Sequence, residues 1–323
     1  MILIVTLNPL LERQFLFSKI NFGSVNRSNL SSLAVGGKGL NVSRQLKRLG
    51  MKSFNFFFSG GANGKLFREL LKSSELDFTH VQTRADTRHA AVIVSEEEKQ
   101  VTSFFSENSE IAQNEVDEFK AKLDKMIQNC EVVVFSGSSP CPTADSIIPF
   151  GIKLANKYDK ISICDTYGAH LNECIESSPT IMHNNYKEVE TSLNISLQTE
   201  DDIKRFLLHC YNRGIKRTAL TNSNKEFYAS NFDYIYKIYP LSISELDSTG
   251  SGDCFVAGIV YGWVNSEVFE DTLKFSTALA GINASKFSVA EVDIEEIMAK
   301  KDQVQLYPVG KRTKTIDDSP HEI

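Results

Sequence analysis

The chain has 323 residues, 41 % of them apolar, and a formal net charge of −6. That size and composition suit one large α/β domain with a small appendage as well as two domains, with apolar residues enough for a sizeable core. The acidic balance argues against non-specific nucleic-acid binding while leaving room for local basic pockets, and no apolar run is long enough to cross a bilayer.

Residues 2–7 lack a basic leader and a cleavage site, read as a buried first strand, and imply a cytoplasmic protein. Helical patterns at 40–49 and 66–71 alternate with a strand at 54–58, which predicts βαβ units on a mainly parallel sheet. Two regions depart from this alternation. Residues 13–33 and 90–105 read as strands without helices between them, the latter a pair joined by the acidic turn 95–100. They predict a small antiparallel flap, suited to keeping water away from a phosphoryl transfer. Further strands at 132–135, 161–164 and 217–220 run into small polar residues: Ser136-Gly137-Ser138, Asp165-Thr166 and Thr221-Asn222-Ser223. Ligands of open α/β sheets bind beyond the carboxyl ends of strands, so these three ends should line one crevice. Residues 309–323, charged and rich in Ser and Thr, read as a solvated extension.

The six cysteines have no C-x-x-C pair and no histidine at zinc-ligand spacing, and read as reduced, mostly buried thiols. Three clusters suggest chemistry. Gly250-Ser251-Gly252-Asp253 runs into an apolar helical stretch beginning at Cys254. Two glycines let consecutive N–H groups aim at one point, the helix dipole adds positive potential there, and a carboxylate in the first turn can act as general base. The same residues also make an ordinary capped helix start. Gly36-Gly37-Lys38-Gly39-Leu40-Asn41 precedes another helix and suits an anionic or hydroxyl-rich ligand, without the spacing of a Walker A loop. Arg27 and Arg88 are candidates for a phosphate clamp. Asn185 and Glu188 stand one helical turn apart, able either to hold a hydrated Mg²⁺ or to cap a helix.

In this order the motifs resemble the PfkB, or ribokinase-like, sugar kinases, in the hexose-phosphate branch of 1-phosphofructokinases and tagatose-6-phosphate kinases. They run from Thr6-Leu7-Asn8-Pro9 through Val25-Asn26-Arg27, Gly36 to Val42, Thr87-Arg88, Ser136 to Pro140, Asp165 to Gly168 and Asn185 to Glu188, to Gly250 to Asp253. The resemblance implies a three-layer α/β/α sandwich over residues 1–308, with a β-sheet lid inserted from about 10–34 and 86–108, and a flexible tail over 309–323. It implies ATP and Mg²⁺ as cofactors and a sugar phosphate as partner, with no nucleic acid or membrane; the lid could pair with its twin in a homodimer or cap its own site in a monomer. Asp253 would take the acceptor proton, and the amides of Gly250, Ser251, Gly252 and Asp253 would stabilise the γ-phosphoryl. Lys38, Arg27 and Arg88 would grip the sugar's phosphate, with Glu12, Gly37, Asn41 and Ser138 around the sugar. Asn185, Glu188, Thr221, Ser223 and Asn283 would lie on the nucleotide side, Asn283 near the base.

The sequence also departs from the branch. The usual Asp is Glu12, a lysine expected near the ATP phosphates is His183, two glycines after Leu220 are missing, and an asparagine of the lid is Ala90. The leading expectation is phosphorylation of fructose 1-phosphate to the 1,6-bisphosphate, with tagatose 6-phosphate as the rival acceptor. A reading of a different class is a sensor that binds sugar phosphate or nucleotide without turnover.

Overall fold

In the computed structural model, which describes residues 1–310, the alternation of the first strand sets the layers of the molecule. Ile2 and Ile4 point into one apolar core, Leu3 and Val5 into another on the opposite face. A strand buried on both sides has to be apolar throughout, as strands of parallel sheets are.

The chain begins β1 (Ile2–Thr6), β2 (Leu10–Phe17), β3 (Leu30–Gly36), α1 (Lys38–Arg48), β4 (Ser53–Gly60), α2 (Gly61–Ser73), β5 (Asp77–Thr83), β6 (His89–Ser95) and β7 (Gln100–Phe105). It continues α3 (Gln113–Gln128), β8 (Val132–Ser136), α4 (Ile147–Lys157), β9 (Ile161–Asp165), α5 (Leu171–Glu176), β10 (Ile181–Asn185), α6 (Tyr186–Leu193) and α7 (Glu200–Asn212). It closes with β11 (Arg217–Thr221), β12 (Phe227–Asn231), β13 (Tyr234–Tyr239), α8 (Ser251–Val264), α9 (Phe269–Ala284), α10 (Ile294–Lys300) and β14 (Gln305–Gly310).

The main sheet has ten strands in the order β14-β13-β12-β11-β10-β9-β8-β1-β4-β5. From β5 to β11 every pairing is parallel, while β12, β13 and β14 are added antiparallel. Helices α1, α8, α9 and α10 cover one face, with Phe67 and Leu71 of α2 packed on the same side against Phe57. Helices α3 and α4 cover the other face, and α5, α6 and α7 cover it beyond β10. This is the expected three-layer sandwich. The chain goes from β1 outward to β4 and β5, then returns to the far side of β1 with β8. That switch opens a crevice beyond the carboxyl ends of β1 and β8.

A separate four-stranded sheet, β3-β2-β6-β7, is made by the strands of the expected lid. The flap is not antiparallel throughout: its two hairpins are, but they join through parallel pairing of β2 and β6. Both leave the carboxyl ends of parallel strands, β1 and β5, so their first strands run the same way. The extension expected from residue 309 also changes. Val309 and Gly310 belong to β14, which pairs with β13, and Val309 packs on the core beneath α6 and α7; residues 311–323 lie outside the described part. All six cysteines are unpaired and buried. Among the described residues no helix is long and apolar enough to cross a membrane.

Candidate active site

The start of α8 is built around Gly250, which N-caps the helix with φ of 75°. A Cβ at this position would lie 2.4 Å from Val289 Cγ1, so both conformation and space demand glycine. The loop is braced from α9: Asn283 Nδ2 donates to the Thr249 carbonyl (2.9 Å) and to Ser251 Oγ (3.1 Å), while its Oδ1 accepts from Ala290 N–H (2.8 Å). The Ser251 N–H donates to the Ser248 carbonyl at 3.1 Å. Of the four amides expected to line a hole, that of Ser251 is thus already engaged. Gly252 and Asp253 supply first-turn N–H groups, which an α-helix leaves without an internal acceptor.

Asp253 is buried and accepts from Asn41 Nδ2 at 2.7 Å. Lys38, at the first position of α1, places its ammonium 2.7 Å from Glu188 Oε1 and 3.6 Å from Asp165 Oδ1. Asp165, at the end of β9, also accepts from Ser136 Oγ (2.7 Å) and from His183 Nδ1 (3.0 Å). The far nitrogen of His183 lies 3.3 Å from Thr221 Oγ1, and its ring stacks on Phe255 at 4.9 Å. Burial first, then the neighbouring Asp165 and Glu188, push the Asp253 carboxyl up to about 7 against the pull of Lys38 and Asn41. Burial also opposes charge on Asp165, yet Lys38, His183 and Ser136 hold it below the ordinary carboxylate value. Burial draws the Lys38 ammonium down, but Asp165, Glu188 and Asp253 together hold it above its usual range. Of two buried aspartates, one stays ionised and the other is poised near neutrality, a separation that suits the second to general-base work.

Beside this cluster lies a cavity of about 350 Å³. Lys38, Glu188, Ser251 and Gly252 stand at one part of its wall; Leu241, Ile243 and Ala280 give it an apolar part. A mostly apolar cleft with a few polar groups is the form of a small-molecule site, here large enough for a nucleotide base with phosphates at the helix start.

A family model described as "pfkB family carbohydrate kinase" matches residues 10–296. The chain belongs to the pfkB family of carbohydrate kinases. It is 27 % identical over 312 residues to a tagatose-6-phosphate kinase of Staphylococcus epidermidis, covering 96 % of this chain and all of that one. Among solved structures it is similar to a possible 1-phosphofructokinase of Thermotoga maritima, with a TM-score of 0.87 at 23 % identity, covering 96 % of this chain and 99 % of the other. Phosphofructokinase-2 of Escherichia coli, in complex with substrates and products, gives 0.83 at 20 % identity, covering 94 % and 98 %. At these identities the structural likeness establishes the ribokinase-like fold.

Within this pfkB fold some expected site residues converge and others do not. Thr221 and Ser223 line the cavity, and Ser223 takes φ of 50°, so the turn after β11 enters the left-handed region without a glycine. Asn283, expected near the base, is buried with its amide turned to the Gly250 loop and is not among the residues that line the cavity. Asn185 and Glu188 form a capping box at α6, each accepting from the other's backbone N–H. The second Glu188 oxygen accepts from Lys38, so both oxygens of this carboxylate already take hydrogen bonds within the protein.

The three expected phosphate cations are dispersed. Lys38 is drawn to the carboxylates at the base, and Arg27 sits exposed on the connection between β2 and β3. Arg88 donates to the Asn8 carbonyl (2.9 Å) and to Asn108 Oδ1 (3.3 Å). Asn8 Nδ2 in turn reaches Asn108 Oδ1 (3.0 Å) and Ser138 Oγ (3.1 Å), so Asn8, part of the first motif but given no role there, and Asn108 join Arg88 to Ser138. Glu12 pairs in register with Ala34 and Ala90, and its carboxylate lies against Gly36, where a Cβ would fall 2.2 Å from Oε1. The longer acid fits because its neighbours are small. Gly37, with φ of 126°, caps α1 beside Pro9. Asp165 stands at one of the strand ends expected to line the crevice, but its pairing with Lys38 and His183 depends on partners distant in sequence. The apolar cavity wall from Leu241, Ile243 and Ala280 was equally hidden among ordinary core residues.

Proposed function

We propose that this pfkB kinase transfers the γ-phosphoryl group of ATP to a ketohexose phosphate. The observation that carries the reading is the buried Asp253 in the first turn of α8, held by Asn41 at 2.7 Å and next to Gly252, which lines the cavity. Asp253 takes the proton of the acceptor hydroxyl, the oxygen bonds to the γ-phosphorus, and the bond from phosphorus to the β-phosphate oxygen breaks, releasing ADP. Such a transfer is mainly positioning and electrostatic stabilisation. The Gly252 and Asp253 amides serve that stabilisation, and Lys38, lying beside the base, meets the charge of the transferring group. Magnesium bound with ATP would neutralise phosphate charge, and Asn185 and Glu188 would help to hold it through its water shell.

Fructose 1-phosphate is the acceptor favoured from the sequence. Tagatose 6-phosphate is the second reading, favoured by the name of the Staphylococcus relative. The test is ADP release with fructose 1-phosphate, fructose 6-phosphate, tagatose 6-phosphate and unphosphorylated sugars. A preference of kcat/KM for one ketohexose phosphate supports the kinase and names its acceptor. Binding of these compounds without ADP release would overturn it in favour of a sensor.

The lid exposes Phe22, Phe104 and Phe105, at 90 %, 59 % and 59 %, and this apolar surface supports a homodimer formed through the lid. Sedimentation of the protein and of a Phe22→Ser, Phe104→Ser variant checks it: a wild-type monomer would end the idea.

A further inference from the structure

Asn41 has a fixed orientation for a reason that lies outside the residues assigned so far. Three residues on, over the same face of α1, Arg44 Nη1 donates to Asn41 Oδ1 at 3.0 Å. The same guanidinium donates to the Val35 carbonyl at the end of lid strand β3 (2.8 Å) and to the Val289 carbonyl (3.3 Å). Val289 is also the side chain that packs on Gly250. A guanidinium can only donate and an ionised carboxylate can only accept. Held between Arg44 and Asp253, the Asn41 amide therefore has one favourable orientation, oxygen toward Arg44 and NH₂ toward Asp253. Turned over, it would set its NH₂ against the guanidinium and its oxygen against the carboxylate.

We propose that Arg44 is a positioning residue for the general base: it locks the Asn41 amide in the orientation that stabilises ionised Asp253, and so sets the pH at which the base becomes available. The proposal rests on the reading of Asp253 as the base. The charged and polar groups facing Asp253 are Lys38 and Asn41 from α1, Asp165 from β9 and Glu188 from α6, and Arg44 acts on it through Asn41. Because Arg44 also holds Val35, the orientation of Asn41 is tied to the root of the lid.

The test compares wild type with Arg44→Met, Arg44→Lys, Asn41→Leu and the Arg44→Met, Asn41→Leu pair. Two readouts are taken: the acidic limb of kcat/KM against pH, and the titration of the Asp253 carboxyl carbon by ¹³C NMR, assigned with Asp253→Asn. A hydrogen bond to a carboxylate holds its pKa down, so in Arg44→Met both curves move up by about one pH unit. Asn41→Leu moves them by a similar amount, and the pair moves them no further, as expected of two residues acting through one contact. Arg44→Lys, which keeps the charge but cannot reach Asn41, Val35 and Val289 together, falls between and serves if the methionine variant does not fold. Curves unchanged from wild type in the Arg44 variants, whatever their stability, would overturn the proposal, as would additive shifts in the pair. If the carboxyl titrates as described but the rate shows no acidic limb, the base assignment fails and the NMR titration still decides the Arg44 contact.

Discussion

Replacing Asp253 by Asn should stop turnover and at the same time make the folded protein more stable in mild alkali. The carboxyl is buried and pushed from its ordinary 3.8 to about 7, first by burial. At about 1.4 kcal/mol per pH unit, ionising it in the folded state costs about 4 kcal/mol once the pH exceeds 7. The sign follows from proton binding. Between pH 3.8 and about 7 the folded state holds this proton more tightly than the unfolded chain does, so stability declines as the pH rises through that window. Below it the cost is absent. Asn keeps an oxygen for the Asn41 donor but carries no charge, so the stability gained over wild type should grow from under about 2 kcal/mol at pH 5 to about 4 kcal/mol at pH 8. Thermal unfolding of ligand-free wild type and Asp253→Asn at the two pH values measures this. A melting difference that is the same at pH 5 and pH 8 would refute the claim that Asp253 is an ionisable group strained by its surroundings, and with it the reason for its use as a base.

Gly36→Ala drives a Cβ into the Glu12 carboxylate and should raise KM for the sugar phosphate roughly tenfold or more while leaving KM for ATP unchanged; equal effects on both substrates would count against Glu12 as a sugar contact. Gly250→Ala combines a left-handed φ with a clash on Val289, so kcat should fall and the unfolding midpoint should drop by the equivalent of about 1–3 kcal/mol; wild-type kinetics would show that the loop geometry is not needed. Lys38→Met leaves Asp165, Glu188 and Asp253 without their shared cation, and the acidic limb of the rate should move upward as well as the maximum falling; a lowered maximum on an unmoved limb would separate Lys38 from the base.

Much of this arrangement is written locally in the chain. The alternating apolar runs from residue 2 to residue 58 and the polar ends at Ser136, Asp165 and Thr221 fix a parallel sheet and the edge where its ligands lie, because strand direction follows from the helices between them. The glycines around Lys38 and before Asp253 mark two helix starts, since only glycine takes the backbone angles found at Gly37 and Gly250 without strain. What a side chain does once the helix has started is another matter, because its partners come from far along the chain. Asn283 reads as a nucleotide contact until α9 is packed on α8 and its amide closes on the Gly250 loop. Lys38 reads as a clamp for the sugar's phosphate until β9 and α6 bring Asp165 and Glu188 to its ammonium. Asp253 is named as a base by its position in sequence, but its rise to about 7 comes from burial and from two carboxylates that only the tertiary structure sets beside it.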